Sequence, residues 1–243
     1  MTTRARPAFY ALAPGGWRDY VTLLHPPYTL WHLSYVAIGA CLAPHVHADR
    51  LGATTAAFFL AMGIGAHALD ELKGRPLQTR IPARTLVILA AVSIGAAVAV
   101  GIAAALAWDL WLLAFVAAGG FVVCAYNLEL FGGLFHNHLA FALSWGAFPL
   151  LTAYFASAEK ITWEAVLAAG FGALTSAAQR ILSTPVRLVR RRVANVSGTV
   201  ELLDGTTRQL DQESLMAAPE TALRLLAAAM VSLAGALLIL RFA

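Results

Sequence analysis

The chain has 243 residues, of which 60% are hydrophobic and only 12% charged, and its mean hydropathy is +0.71. Soluble domains run nearer 45–50% apolar and about 25% charged. So little polar surface cannot cover a soluble globule, which excludes a water-soluble enzyme, a disordered chain and a nucleic-acid-binding module. The net charge of +4 fits cytoplasmic loops facing an anionic leaflet. Cys41 and Cys124 both lie in apolar runs and offer neither a disulfide framework nor a zinc spacing.

In chain order, residues 9–24 (FYALAPGGWRDYVTLL) read as a short amphipathic segment on the membrane surface, with Phe9, Tyr10, Trp17 and Tyr20 at headgroup level. The start of the chain does not read as a signal peptide, because Pro7, Pro14, Gly15 and Gly16 interrupt any apolar core. Seven stretches without Lys, Arg, Asp or Glu follow: Tyr28–Pro44, Leu51–Leu69, Thr85–Trp108, Leu110–Leu128, Leu139–Ala158, Ala165–Gln179 and Leu225–Leu240. A span needs about 17–25 such residues, so the sixth and seventh borrow a turn of flank. Frequent Gly and Ala inside these runs suit close helix packing in lipid. The expected fold is an all-α, polytopic transmembrane bundle of about seven spans. Its divisions are an interfacial N-terminus (1–27), six spans (28–179), a basic cytoplasmic loop (180–220) and a seventh span (221–243).

With the N-terminus cytoplasmic, fourteen of the seventeen basic residues fall inside, Arg4 among them, leaving Arg50, Lys160 and Arg241 outside with the C-terminus. The basic loop opens with RILSTPVRLVRRR, a helix end suited to anionic lipid or phosphate. Asp204-Gly205 between two β-prone arms predicts a type I′ hairpin, and Pro219-Glu220 predicts the start of the last helix. The hairpin carboxylates Glu201, Asp204, Asp211 and Glu213 are candidates to cap the cytoplasmic mouth or to meet the arginine run.

Ionisable residues at membrane depth are functional candidates by default. At the end of the second span His67 stands three residues before Asp70 and four before Glu71, on one helical face. Between the fourth and fifth spans come Asn127, Glu129, His136, Asn137 and His138, and the first span opens with His25 and His32. In the seven-span topology these three segments meet at one face.

The stretch GIGAHALDELKGRPLQTRIP resembles the first signature of the UbiA superfamily of intramembrane prenyltransferases, an N-D-x-x-D motif ending the second helix and followed by a G-R-P-L-like segment. HPPYTLWHLSYVAIGACLA is similar to that family's first helix, and YNLELFGGLFHNHLAFALSWGAFPLLTAYF to its fourth and fifth. The resemblance covers about residues 20–190, with seven spans read against nine usual in the family. It implies a polyprenyl diphosphate held through Mg2+ by acidic motifs, and transfer of the prenyl group to a small acceptor, aromatic or other. Asp70 and Glu71 would be the catalytic, metal-binding carboxylates, while Lys73, Arg75, Tyr126, Asn127, Arg180 and Arg187 would bind the substrate. The motif Asn falls at Ala66 and its first Asp at His67; the family's second acidic motif retains its Arg as Arg180 but has Ile181 and Pro185 where its Asp residues belong.

Two alternatives remain beside this reading. One is a metalloenzyme on the same scaffold, holding a transition metal through His67, Asp70, Glu71, Glu129, His136 and His138, all N/O ligands. The other is a non-catalytic, lipid-binding membrane protein.

Overall fold

The computed structural model describes residues 6–243. Arg4, counted above among the cytoplasmic basic residues, lies outside them. A short helix, α1 (Trp17–Leu23), precedes α2 (Pro26–Leu42), α3 (Ala48–Leu72), α4 (Ala83–Ala107) and α5 (Leu112–Asn127). Then come α6 (His138–Ala158), α7 (Trp163–Arg192), the strands β1 (Gly198–Glu201) and β2 (Thr207–Leu210), and α8 (Gln212–Phe242).

Among the described residues, α3, α4, α6, α7 and α8 are long and apolar enough to cross a membrane. Helix α5 is apolar but has 16 residues, and α2 has 17. In α4 and α8 only 22% of the most apolar window is buried inside the protein. Leu106, Leu225 and Leu240 are among the side chains that point outward from them. An apolar surface of that extent needs lipid rather than water around it, so the chain is an all-α, multi-pass membrane bundle with one small sheet.

Helix α2 runs through the middle. Its Trp31, Tyr35 and Ile38 pack on Leu150 of α6 and on Met230 and Ala234 of α8. Trp31 donates its indole N–H to the Tyr35 hydroxyl at 2.6 Å, and that hydroxyl lies 2.7 Å from Thr175 Oγ1 and 3.1 Å from Ser176 Oγ on α7. Polar atoms buried away from water need such partners, and this chain of bonds ties α2 to α7. A second apolar cluster joins α3, α4 and α5 through Met62, Leu86, Ala90 and Val123, with Trp145 of α6.

Two helices carry a π-helical stretch, Phe59–Ala66 in α3 and Leu143–Ala147 in α6. In α6 the cause is Pro149, which has no N–H to give the carbonyl four residues back and crowds it. Both stretches border the cavity described below, as π segments often do at functional sites.

The end of the chain departs from the expected divisions in three ways. Helix α7 does not stop at Gln179 but continues to Arg192, so the basic run is helical and Pro185 lies inside it. Helix α8 starts at Gln212 rather than at Pro219. Asp211 and Ser214 form a reciprocal capping box, which satisfies the orphan N-terminal donors earlier than a proline start would. The hairpin is not a two-residue I′ turn. Strand pairing ends at Glu201 opposite Thr207, and Leu202 N–H donates to Thr206 O at 2.8 Å. That leaves a three-residue loop in which only Gly205 has positive φ (82°), the geometry of a type I turn closed by a glycine bulge. Replacing the cap, Asp211→Ala, is expected to cost about 1 kcal/mol and to fray the start of α8, measurable as faster amide exchange at residues 212–216.

Candidate functional site

One end of the bundle gathers the start of α2, the end of α3, the end of α5, the start of α6 and the C-terminal part of α7 around a cavity of about 210 Å³. Of the residues singled out from the sequence, His67, Asp70, Tyr126, Asn127, His136, Arg180 and Arg187 line it. The three sequence segments do converge, as the topology requires.

The aromatic side of the cavity is built around Tyr126. His136 stacks on its ring, with centroids 4.5 Å apart, and donates Nδ1–H to the Tyr126 carbonyl at 3.1 Å. Trp145 meets the ring edge-on at 5.6 Å. Arg180 donates to the Tyr126 hydroxyl and lies 5.2 Å from the centroid of Phe141. Asn127 is buried and anchored by its own helix, its Nδ2 donating to Val123 O at 2.7 Å.

Opposite stand the imidazoles of His25 and His67, stacked with centroids 4.1 Å apart and planes 14° from parallel. His67 donates Nδ1–H to Gly63 O at 3.0 Å, and His32 does the same to Tyr28 O at 2.6 Å. In each ring Nδ1 therefore carries a proton. His25 Nδ1 lies 2.7 Å from the Tyr10 hydroxyl. Burial holds the His25 imidazole well below its ordinary pKa, and the neighbouring His67, Arg191 and Arg187 push it the same way. Burial likewise raises the Tyr10 phenol well above its usual value. At neutral pH His25 and Tyr10 are therefore uncharged.

The remaining sequence candidates lie elsewhere. Glu71 is 1% exposed and faces the loop after α3, where its carboxylate accepts from Leu77 N–H, Thr79 N–H and the Thr79 hydroxyl, all at 2.9 Å. It holds the loop and has no free oxygen for a metal or a phosphate. Arg75 donates to Ile81 O in the same loop. Asp19 of α1 closes it from outside by accepting from Arg80 N–H at 2.9 Å. Lys73 and Glu129 pair with each other at 2.6 Å on the surface, which keeps the Glu129 carboxyl below its ordinary pKa. His138 is exposed at the start of α6.

The hairpin carboxylates do not reach the cavity or the arginine run. Asp204 bonds Thr206, Asp211 caps α8, and the acid that does meet the run is Glu220, paired with Arg190 at 2.5 Å and Arg224 at 2.6 Å.

The sequence reading missed Tyr10, Gln179 and Arg191, and placed Phe9 and Tyr10 at headgroup level. In the fold, residues 6–11 form a strap over the cavity. Tyr10 and Phe9 line it, Arg190 donates to Arg6 O at 3.2 Å, Arg191 to Pro7 O at 3.4 Å, and Arg224 lies 4.6 Å from the Phe9 ring centroid. Arg191 was legible once α7 is continued past Gln179, because positions 180, 187 and 191 are seven and four residues apart and share one helical face.

The residues do not fit the magnesium site that the family resemblance implies. Among the described residues Asp70 is the one carboxylate on the cavity wall, where the resemblance implies two acidic motifs; a lone carboxylate would leave a Mg2+ ion to substrate phosphates and water for its other ligands. Among the described residues no three His, Cys, Asp or Glu side chains stand close enough to hold a metal ion, so the transition-metal ligand set does not assemble either.

A second, apolar groove runs between α3, α4, α5 and α6. It is lined by small residues such as Ala57, Ala97 and Gly101, and Phe58, Phe115 and Phe148 wall it. Met62 and Trp145 line both the groove and the polar cavity, so the two adjoin. No family model, curated protein or solved structure matches the chain.

Proposed function

We propose that the protein is an intramembrane prenyltransferase of UbiA-like type, with seven spans and the N-terminus and polar cavity on the cytoplasmic side. It binds a polyprenyl diphosphate and transfers the prenyl group to a small aromatic acceptor. The observation that carries this reading is the junction at Met62 and Trp145, where a cavity lined by Arg180, Arg187 and Arg191 adjoins an apolar groove. That pair of surfaces suits an amphiphile with an anionic head and a long apolar tail. The basic residues near the cavity, set against Arg50, Lys160 and Arg241 elsewhere, support the orientation.

In the proposed reaction the guanidinium groups take up charge on the diphosphate as the allylic C–O bond breaks and the electron pair leaves with oxygen. The aromatic walls around Tyr126, Phe141 and Trp145 keep water from the allylic cation. The acceptor forms the new bond to the allylic carbon, and its proton passes to Asp70, the only carboxylate on the wall among the described residues. No step is routed through a metal, since the cavity wall carries Asp70 where the resemblance implies two acidic motifs.

The test is transfer from radiolabelled farnesyl diphosphate to a panel of phenolic acceptors by purified protein in lipid nanodiscs. Label should appear in an acceptor product, and Asp70→Asn should lower the rate by about 100-fold, as loss of a general base does. Tight binding of farnesyl diphosphate with no turnover would instead favour a non-catalytic lipid-binding protein, a reading that the Ile181 and Pro185 substitutions in the second motif support.

A further inference from the structure

We infer that Arg180, Arg187 and Arg191 themselves form the clamp for the anionic head, so that a lipid diphosphate is held there without a divalent cation. The inference rests on the amphiphile-binding part of the proposed function.

Charge is distributed unevenly around this cavity. Among the described residues, three guanidinium groups on one face of α7 line it against a single carboxylate, Asp70. The other acids in the region are already engaged: Glu71 by three donors in its loop, Glu129 by Lys73, and Glu220 by Arg190 and Arg224. None of them neutralises the cavity arginines. Among the described residues Arg180 finds only the neutral Tyr126 hydroxyl, and its Nε is buried with no hydrogen-bond partner among them. Arg187 donates to the Thr184 hydroxyl and Arg191 to the Pro7 carbonyl, both neutral. A partly buried cluster of like charges with an unsatisfied donor is unfavourable until an anion enters.

Guanidinium suits this role. Its planar fork meets two phosphate oxygens at once and stays charged at every relevant pH. A divalent cation in the same place would face three positive side chains and have one carboxylate to bind. The electrostatic work assigned to Mg2+ in the resembled family therefore falls here to side chains of α7.

The experiment measures binding of farnesyl diphosphate and of inorganic diphosphate to the full-length protein in nanodiscs, by calorimetry, in excess EDTA and then with Mg2+ added. Farnesyl diphosphate should bind in EDTA with a Kd within about threefold of that in Mg2+, and Arg187→Gln should weaken it by about tenfold, the loss of one charge-assisted contact. Arg187 is exposed at the cavity mouth, so this variant should fold, as a circular dichroism melt will check. Arg192→Gln, on an exposed residue outside the cavity, should leave affinity unchanged. Binding that appears only with Mg2+, or that survives Arg187→Gln together with Arg191→Gln, overturns the clamp. Inorganic diphosphate binding in EDTA without any farnesyl diphosphate binding upholds the clamp and overturns the prenyl reading. Failure of both anions to bind overturns both.

Discussion

Glu71→Ala is expected to unfold the loop between α3 and α4 and to lower the stability of the protein by about 3–5 kcal/mol, read as thermal melting in detergent. The carboxylate is buried and accepts three hydrogen bonds, two of them from backbone N–H groups of Leu77 and Thr79. Removing it deletes charge-assisted bonds of about 1.5–3 kcal/mol each and leaves two backbone donors unpaired. Part of that cost returns when water enters the opened loop, so the effects do not add in full. Glu71→Gln keeps one oxygen acceptor and should lose less. A melting point unchanged in Glu71→Ala would remove the structural role and return this residue to the list of candidate ligands.

Gly146→Val is expected to have a comparable effect through close packing rather than hydrogen bonding. Helices α6 and α7 cross backbone to backbone. A Cβ on Gly146 would run into the Gly172 carbonyl oxygen and stand 2.8 Å from Ser176 Oγ, and one on Gly172 would stand 2.7 Å from the Gly146 carbonyl oxygen. The obstacle is main chain, which cannot rotate out of the way. Valine therefore forces the helices apart, at about 1–3 kcal/mol or more by the measure of overpacked cores. Gly146 adjoins Trp145 of the cavity wall, and Gly172 lies about two helical turns before Gln179 and Arg180 of the same wall. Separation should thus also loosen the contacts of Arg180 with Tyr126 and Phe141. The expected result is a lowered melting temperature together with weaker diphosphate binding; an unchanged melt would show that the crossing tolerates a larger residue.

Both predictions bear on how the site is assembled. Its polar groups come from five helices and from the N-terminal strap, so it depends on the bundle as a whole. The strap adds Tyr10 to the wall through its bond to His25 and is itself held by Arg190, Arg191 and Arg224. Two of these arginines thus lie outside the cavity lining and serve the strap, which separates the functions of a basic run that looks uniform in sequence.

The membrane class, the apolar runs of the long helices and the meeting of the segments that carry His25, His67, Asp70 and His136 were legible in the sequence, and the resemblance added Tyr126 and Arg180. They follow from local quantities: apolar run length, interruption by charge, and the 3.6-residue period that places side chains on one face. What the sequence could not show was the direction in which neighbouring polar groups point. Asp70 and Glu71 are adjacent, yet one faces the cavity and the other a loop, because a single residue step turns a side chain through about 100° and only the packed loop supplies partners for Glu71. The length of α7 was misjudged for a related reason. Charged residues ended the apolar run at Gln179, but the helix continues because Val186 and Val189 pack on Met216 and Leu223 of α8, a contact between distant segments. Tertiary packing likewise set Tyr10 on the cavity wall, against His25. Local pattern determined that this protein is a membrane bundle with its polar residues at one end; the long-range contacts decided which of those residues share a cavity and left three arginines there with one carboxylate between them.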